Sequence, residues 1–286
     1  LKKTAALLLA AALAIGTAGC TRKGAEERGT LRIGVALYSN EDTFMSSIAQ
    51  HLERMVQETE VALGRRINLS MADGGNNQTT QMEQIDRLLS KGCDVLLVNI
   101  VDRTAAAVLI DKAEAAGVPV IFFNRQPVAE DIDYREGVYY VGASAEESGR
   151  LQGELVLEAW RDPRIDLDRN GDGVLQYVML EGEPGHQDSL LRTEYCIKAL
   201  TDEGVAVEKL AGDAANWNRG QAAARMEQWL EEFGEGIEAV FSNNDDMALG
   251  AIDAIREWGG LGMMVVGVDA TAPALEAVET GELYGT

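Results

Sequence analysis

The segment Asp168-Arg-Asn170-Gly-Asp172-Gly173-Val174-Leu-Gln176 places oxygen-bearing side chains at its first, third, fifth and ninth positions. Such spacing turns alternate side chains toward one point, with glycine at the sixth position allowing the sharp turn and Val174 offering a backbone carbonyl at the seventh. All-oxygen donors without His or Cys suit a hard cation, so the segment reads as a calcium loop rather than a zinc site. Position twelve is Met179, where a helix–loop–helix calcium site places a bidentate Glu, and residues 174–180 continue as a strand. A further carboxylate is therefore expected from elsewhere in the chain. The alternative is a metal-free turn rich in Asp, Asn and Gly.

Other polar residues gather where apolar runs end. They are residues 38–44, Asn99, residues 181–188, residues 243–246 and Asp269. The runs themselves alternate with segments of helical spacing. Strands are predicted at 31–37, 67–71, 95–99 and 118–123, with helices at 45–63, 79–91 and 104–116. The alternation restarts with strands at 138–141, 174–180, 205–210, 239–242 and 264–268. Helices are predicted there at 146–160, 189–203, 218–232, 247–258 and 273–280. Continuous Val/Ile/Leu strands separated by helices predict an α/β fold with parallel sheets covered on both faces. Two doubly wound, Rossmann-like lobes joined by a hinge near 123–126 account for the order. Ligands of such sheets bind beyond the carboxyl ends of the strands, where the polar residues lie, so two facing lobes imply a cleft.

The N-terminus describes export. Lys2 and Lys3 precede the apolar run 5–15 and the small residues Gly16-Thr17-Ala18-Gly19 before Cys20. The run is too short to span a bilayer. Residues 1–19 read as a lipoprotein-type signal peptide, with Cys20 the lipidated residue, although Thr17 stands where an aliphatic residue is usual. Ordinary cleavage near Ala18 is the alternative. Residues 20–30 form a polar tether. Cys93 and Cys196 fall in different lobes and read as buried free thiols. His51 lies within a helix and reads as structural.

The net charge of −22 disfavours nucleic acid, whose phosphates reward Lys/Arg clusters. A repressor core of similar fold would need an N-terminal helix-turn-helix, where this chain has its leader. No GxSxG, P-loop or post-strand GxGxxG is present, and Asp245 and Asp246 read as a helix start rather than as a hydrolytic pair. The chain is read as a non-enzyme.

Several motifs, in order, resemble the periplasmic glucose/galactose-binding proteins of bacterial ABC transport and chemotaxis. They are YSNEDTFMS (38–46), VNIVD (98–102), VPVIFFN (118–124), YYVGASAEESG (139–149), the calcium loop, EGEPGHQDSLLR (181–192), SNNDDMALG (242–250) and VGVDA (266–270). The resemblance implies the type I periplasmic-binding-protein architecture, with an N-terminal lobe at 31–124 and a C-terminal lobe at 125–286 that carries the calcium loop 168–176. It implies sugar contacts by Asp42, Phe44, Asn99, His186, Asp188, Arg192, Trp217, Asn244 and Asp269. Phe44 and Trp217 would sandwich the pyranose, drawing the lobes together by hinge closure. The implied calcium ligands are Asp168, Asn170, Asp172, the Val174 carbonyl, Gln176 and Glu238, the last supplying the carboxylate absent at position twelve.

Family members continue past Thr286 with a return to the first lobe and a further sugar-binding Asn. The first lobe is thus expected to be incomplete here. The implied protein is a monomeric periplasmic or surface-anchored receptor. It would deliver D-glucose or D-galactose to an ABC permease, with a chemoreceptor as a second partner and the membrane touched only through a lipid anchor. Ribose, xylose or a furanose signal are the alternative ligands.

Overall fold

A computed structural model describes residues 29–133, 135–260 and 262–286. The expected leader and Cys20 lie outside these residues. No helix among the described residues is long and apolar enough to cross a membrane.

The chain divides into two compact units. One runs through Glu41 and resumes over Met45–Gly142, and the other comprises Asp42–Phe44 and Ala143–Thr286. The first unit holds a five-stranded parallel sheet of β1 (Leu31–Leu37), β2 (Ile67–Asp73), β3 (Val95–Val98), β4 (Val120–Phe123) and β5 (Val138–Val141), in the order β2-β1-β3-β4-β5. Parallel neighbours require crossovers. Those between successive strands carry α1 (Thr43–Leu63), α2 (Gln78–Ser90), α3 (Ala106–Ala115) and the five-residue α4 (Ala129–Asp133). The central strands β3 and β4 are buried along their whole length. Their uninterrupted apolar runs follow from being covered on both faces.

The second unit holds a four-stranded parallel sheet of β6 (Val174–Glu181), β7 (Ala206–Ala214), β8 (Ala239–Ser242) and β9 (Met264–Val266), in the order β7-β6-β8-β9. Its helices are α5 (Ala145–Arg161), α6 (Gln187–Thr201), α7 (Arg219–Phe233), α8 (Asp245–Trp258) and α9 (Ala272–Thr280). Side chains alternate across this sheet as the strand period of two requires. Tyr177, Met179 and Phe241 pack with Val156, Leu157 and Cys196, whereas Val178, Leu180 and Val240 pack with Met226, Met247 and Ile252.

One boundary differs from expectation. The sequence reading ended the first lobe at Asn124 and began the second at Arg125. The segment 138–141 instead joins the first sheet, with Val120 opposite Val138 and Phe123 opposite Val141. Without it β4 would present a row of unpaired backbone groups at the sheet edge, and β5 satisfies them. The division between units consequently falls after Gly142.

Helices α5 and α6 lie unusually close. A Cβ at Gly149 would stand 2.9 Å from the Arg192 Cα, and one at Gly153 would collide with the Cys196 carbonyl and stand 2.7 Å from the Ala199 Cβ. Only glycine permits this approach, which brings α6 flat against its neighbour. Cys93 and Cys196 are buried free thiols, as expected, and burial pushes the Cys196 thiol up to about 12. His51 is exposed on α1, its Nδ1 2.7 Å from the Ser47 carbonyl.

Candidate ligand site and metal loop

Most of the expected sugar contacts fall in the second unit, at the carboxyl ends of β6, β8 and β9. After β6 the chain turns through Gly182–Gly185 into α6. His186 caps that helix, with its Nδ1 accepting from the Asp188 N–H at 3.1 Å. The cap uses the lone pair of Nδ1, which leaves Nε2 as the ring's other hydrogen-bonding atom. Asp188 lies in the first turn, where a helix N-terminus favours negative charge. One turn later Arg192 donates to Asp188 Oδ2 at 3.1 Å and to the Asn243 carbonyl at 2.8 Å. The same guanidinium stands 3.6 Å from Asp269 Oδ1.

The result is a buried Asp188–Arg192–Asp269 array in which two carboxylates share one cation. Arg192 Nε is buried without a hydrogen-bond partner. Burial raises the Asp269 carboxyl well above the usual carboxylate range, against a lowering by Arg192, while Asp245 and Asp188 add to the rise. Asn244, buried at the end of β8, caps α8 by accepting from the Met247 N–H at 3.0 Å. Its Oδ1 therefore serves the helix, and its Nδ2 is the group suited to a ligand.

Trp217 reaches the same region from the loop between β7 and α7. Both Asn216 and Trp217 have left-handed backbones, with φ of 52° and 62°. The indole lies edge-on to the His186 ring, with centroids 5.0 Å apart. It also lies on the backbone of Gly182, where any Cβ would collide with the ring atoms. Trp217 is thus a loop residue, and its underside rests on main chain.

In the first unit, Asn99 ends β3 with its side chain fully buried. Its Oδ1 accepts from the Tyr38 N–H at 3.3 Å, and its Nδ2 donates to the Phe123 carbonyl at 3.2 Å and to Asn124 Oδ1 at 2.9 Å. Asn99 therefore ties the ends of β1, β3 and β4 together in this conformation. Asp42 directly precedes α1 and Phe44 lies in its first turn; both are half-buried, and both are grouped with the second unit.

Three residues that organise these loops escaped sequence reasoning. Asn243 is fully buried, and its Oδ1 accepts from the Gly182 N–H, Ser189 Oγ and Thr193 Oγ1 at 3.0, 3.0 and 3.3 Å. It joins the β6 turn to α6, and the Asn-Asn doublet gave no means of telling which residue faces inward. Gln152 donates to the carbonyls of Ser242, Val266 and Gly267. Its place four residues before Val156 on the apolar stripe of α5 was the available signal. Arg125, in the first unit, stacks 3.6 Å over the Tyr38 ring and donates to the Val101 carbonyl.

The loop 168–176 precedes β6 and folds around its own acidic residues. Asp168 accepts from the N–H groups of Gly171, Asp172 and Gly173 at 2.9–3.1 Å. The side-chain tips of Asn170, Asp172 and Gln176 stand 2.9–3.1 Å from one another. Glu238, buried just before β8, accepts from the Arg169 N–H at 2.7 Å and from the Gln176 N–H at 3.1 Å. It reaches the loop from a distant part of the chain, with both carboxylate oxygens accepting from main-chain N–H groups of the loop. Among the described residues no group of three His, Cys, Asp or Glu side chains is poised for a metal. The convergent tips here are one carboxylate and two amides.

Two parallel-sheet lobes with polar and aromatic groups at the strand ends define a solute-binding class. The match to the periplasmic binding protein domain, over residues 33–286, agrees, and the chain belongs to that family. It is 41% identical to the D-galactose/methyl-galactoside binding periplasmic protein MglB of Haemophilus influenzae, covering 100% of this chain and 83% of that protein. It is 29% identical to a xylitol-binding protein of Mycolicibacterium smegmatis, over 99% and 75% of the two chains. Among solved structures, an ABC transporter solute binding protein of Bacillus halodurans with bound myo-inositol matches with a TM-score of 0.71 and 31% identity, over 91% of this chain and 83% of that one.

Proposed function

We propose that this chain is the sugar receptor of an ABC importer and takes D-glucose and D-galactose. The observation that carries the reading is the buried Asp188–Arg192–Asp269 array beside Trp217, in a chain related along its length to a galactose-binding protein. Adjacent sugar hydroxyls both donate and accept, and charged partners make the stronger hydrogen bonds. Asp188 and Asp269 accept from hydroxyls, while Arg192, His186 Nε2 and Asn244 Nδ2 donate to them. The apolar C–H face of the pyranose stacks on Trp217. Asp42 and Phe44 are proposed as ligands from the first strand-end loop, on their chemistry and the family resemblance. Asn99, for which the resemblance implies the same role, is fully buried with its amide bonded to Tyr38, Phe123 and Asn124, and is proposed as the support of the strand-end loops.

Family membership goes with a periplasmic location, and the lipid anchor at Cys20 is proposed from the leader alone. The relatives are named for binding and transport. Asp245 is fully buried and held by threonines, which supports its reading as a structural group. We read the protein as a non-catalytic receptor, with the importer's permease as its partner and a chemoreceptor as a second one.

Intrinsic tryptophan fluorescence, titrated with galactose, glucose, ribose, xylose and myo-inositol, tests the ligand. Saturable quenching or enhancement by both hexoses is expected. A response to ribose or myo-inositol with none to either hexose would overturn the assignment.

Calcium is proposed for the loop on the chemistry of its donors. Oxygens around one ion at 2.3–2.6 Å stand roughly 3 Å apart, which is the separation of the Asn170, Asp172 and Gln176 tips. The O and N atoms of an amide are assigned from its hydrogen-bond network, so the Asn170 and Gln176 tips supply oxygens when turned. Asp168, Asn170, Asp172, Gln176, the Val174 carbonyl and Glu238 would hold the ion, which supplies charge neutralisation and no reaction chemistry. Calcium at a hundred-fold excess over Kd should stabilise the protein by about 2.7 kcal/mol relative to an EDTA-treated sample. Identical melting curves in the two conditions would remove calcium from the proposal.

A further inference from the structure

The loop after β9 holds a conformation that its own residues do not favour. Asp269 has φ 124° and Ala270 has φ 52°, two consecutive non-glycine residues in the left-handed region. Such residues are strained and persist only where their surroundings over-determine them. Two buried side chains do so here. Asp245 Oδ2 accepts from the Thr271 N–H at 2.8 Å and from Thr271 Oγ1 at 3.1 Å, fixing the C-terminal side of the loop. Gln152 donates to the Val266 and Gly267 carbonyls at 3.2 and 3.1 Å, fixing the N-terminal side. The same Gln152 amide donates to the Ser242 carbonyl at 2.7 Å, at the base of the Asn243–Asn244 turn.

Neither side chain reaches solvent, since Asp245 is 0% and Gln152 2% exposed. Neither is therefore available to a ligand. Asp245 is also joined by Thr286, whose Oγ1 donates to Oδ1 and accepts from the Ala270 N–H at 3.1 Å. The bonds cross from α8 and α5 to the one loop that carries the Asp269 carboxylate.

We propose that Asp245 and Gln152 are positioning residues that hold the left-handed Asp269–Ala270 turn and so aim Asp269 at the bound sugar. The inference rests on the reading of Asp269 as a sugar ligand. Asp245 acts as an acceptor from neutral donors, and a carboxamide can accept both Thr271 bonds while donating to Thr286. The role requires the hydrogen bonds rather than the charge. Gln152 acts as a donor, which glutamate cannot replace.

D-Galactose titration of the full chain, by calorimetry or fluorescence, tests this. D245A is expected to lose affinity by about ten-fold, equivalent to ~1.4 kcal/mol, and D245N to recover most of that loss. Q152E, which keeps its volume, is expected to lose affinity similarly and serves if D245A does not fold. In a D269N background D245A should add almost nothing, because residues acting through one group are not additive. A merely structural role would instead lower affinity equally in both backgrounds, and that outcome overturns the proposal. D245N as weak as D245A overturns it also, by showing that charge matters. If D269N binds galactose like the parent, the ligand reading itself fails. If D269N is weak while D245A and Q152E both bind normally, the ligand reading stands and the positioning role falls.

Discussion

Replacing Asp269 with asparagine is expected to make the sugar-free protein more stable at pH 7 while greatly weakening hexose binding. The two effects have one cause. Asp188 and Asp269 both pair with Arg192, and Asp269 is the partner held at the longer distance, 3.6 Å against 3.1 Å. Burial raises the Asp269 carboxyl well above its ordinary value of 3.8. A carboxyl raised on folding contributes stability that is fully present below its unfolded value and lost as pH rises through the folded one. At neutral pH its charge is therefore a cost to the fold, and asparagine removes that cost without stranding Arg192, which keeps Asp188 and the Asn243 carbonyl.

A gain of roughly 1 kcal/mol would appear as a rise of about 2–4 °C in the melting midpoint at pH 7. The gain should shrink as the pH falls from the raised folded value toward the ordinary value of 3.8, below which the parent residue is neutral in both the folded and the unfolded chain. Hydrogen bonds to a charged group contribute about 1.5–3 kcal/mol each. Loss of the carboxylate should accordingly weaken galactose binding by about 2–4 kcal/mol, roughly 30- to 700-fold. Thermal melts across pH, alongside calorimetric titration, separate the two effects. A lower midpoint for D269N at pH 7 would mean that the ion pair outweighs its burial cost, and the account would be wrong.

The second large effect is expected from a single methyl group. Gly182→Ala places a Cβ in collision with the Trp217 indole, and the carbon that carries it is main chain that cannot yield. Gly182 is fixed by its N–H bond to Asn243 Oδ1, so the ring must move and lose its edge contact with His186. Buried Trp residues are frequent hot spots of binding. Affinity for galactose should fall by about 2 kcal/mol, roughly 30-fold, with an altered fluorescence spectrum before any sugar is added. Trp217→Ala should lose a similar amount, and the double variant should lose little more, since both changes remove the same platform. Additive losses would show that Gly182 acts by another route.

Much of the architecture was legible because its physics is local. The strand 239–242 and the start of β6 at Val174 were read as the structure has them, since buried parallel strands are continuous apolar runs with no rival interpretation. The helix starts were less legible. Asn244 and His186 cap their helices by accepting from N–H groups two or three residues ahead, and this starts α8 and α6 two residues before the expected positions. The lobe boundary was misread because four residues of Val and Tyr carry no mark of which sheet they join. Site composition was legible where side chains are unusual for their place, as with Trp217 in a polar loop. The residues that aim the site were not, because Asn243, Gln152 and Asp245 take their meaning from partners 26 to 115 positions away.

The glycine-mediated approach of α5 to α6 has a thermodynamic consequence. Because Gly149 and Gly153 let one helix rest on the backbone of the other, Arg192 stands on a support with little freedom left. Ordering a long side chain at an interface ordinarily costs about 0.5–1.5 kcal/mol of entropy on association. Here much of that ordering belongs to folding of the second unit, before a sugar arrives. The helix pair thus transfers part of the entropy of recognition from each encounter with ligand to the single event in which the chain folds.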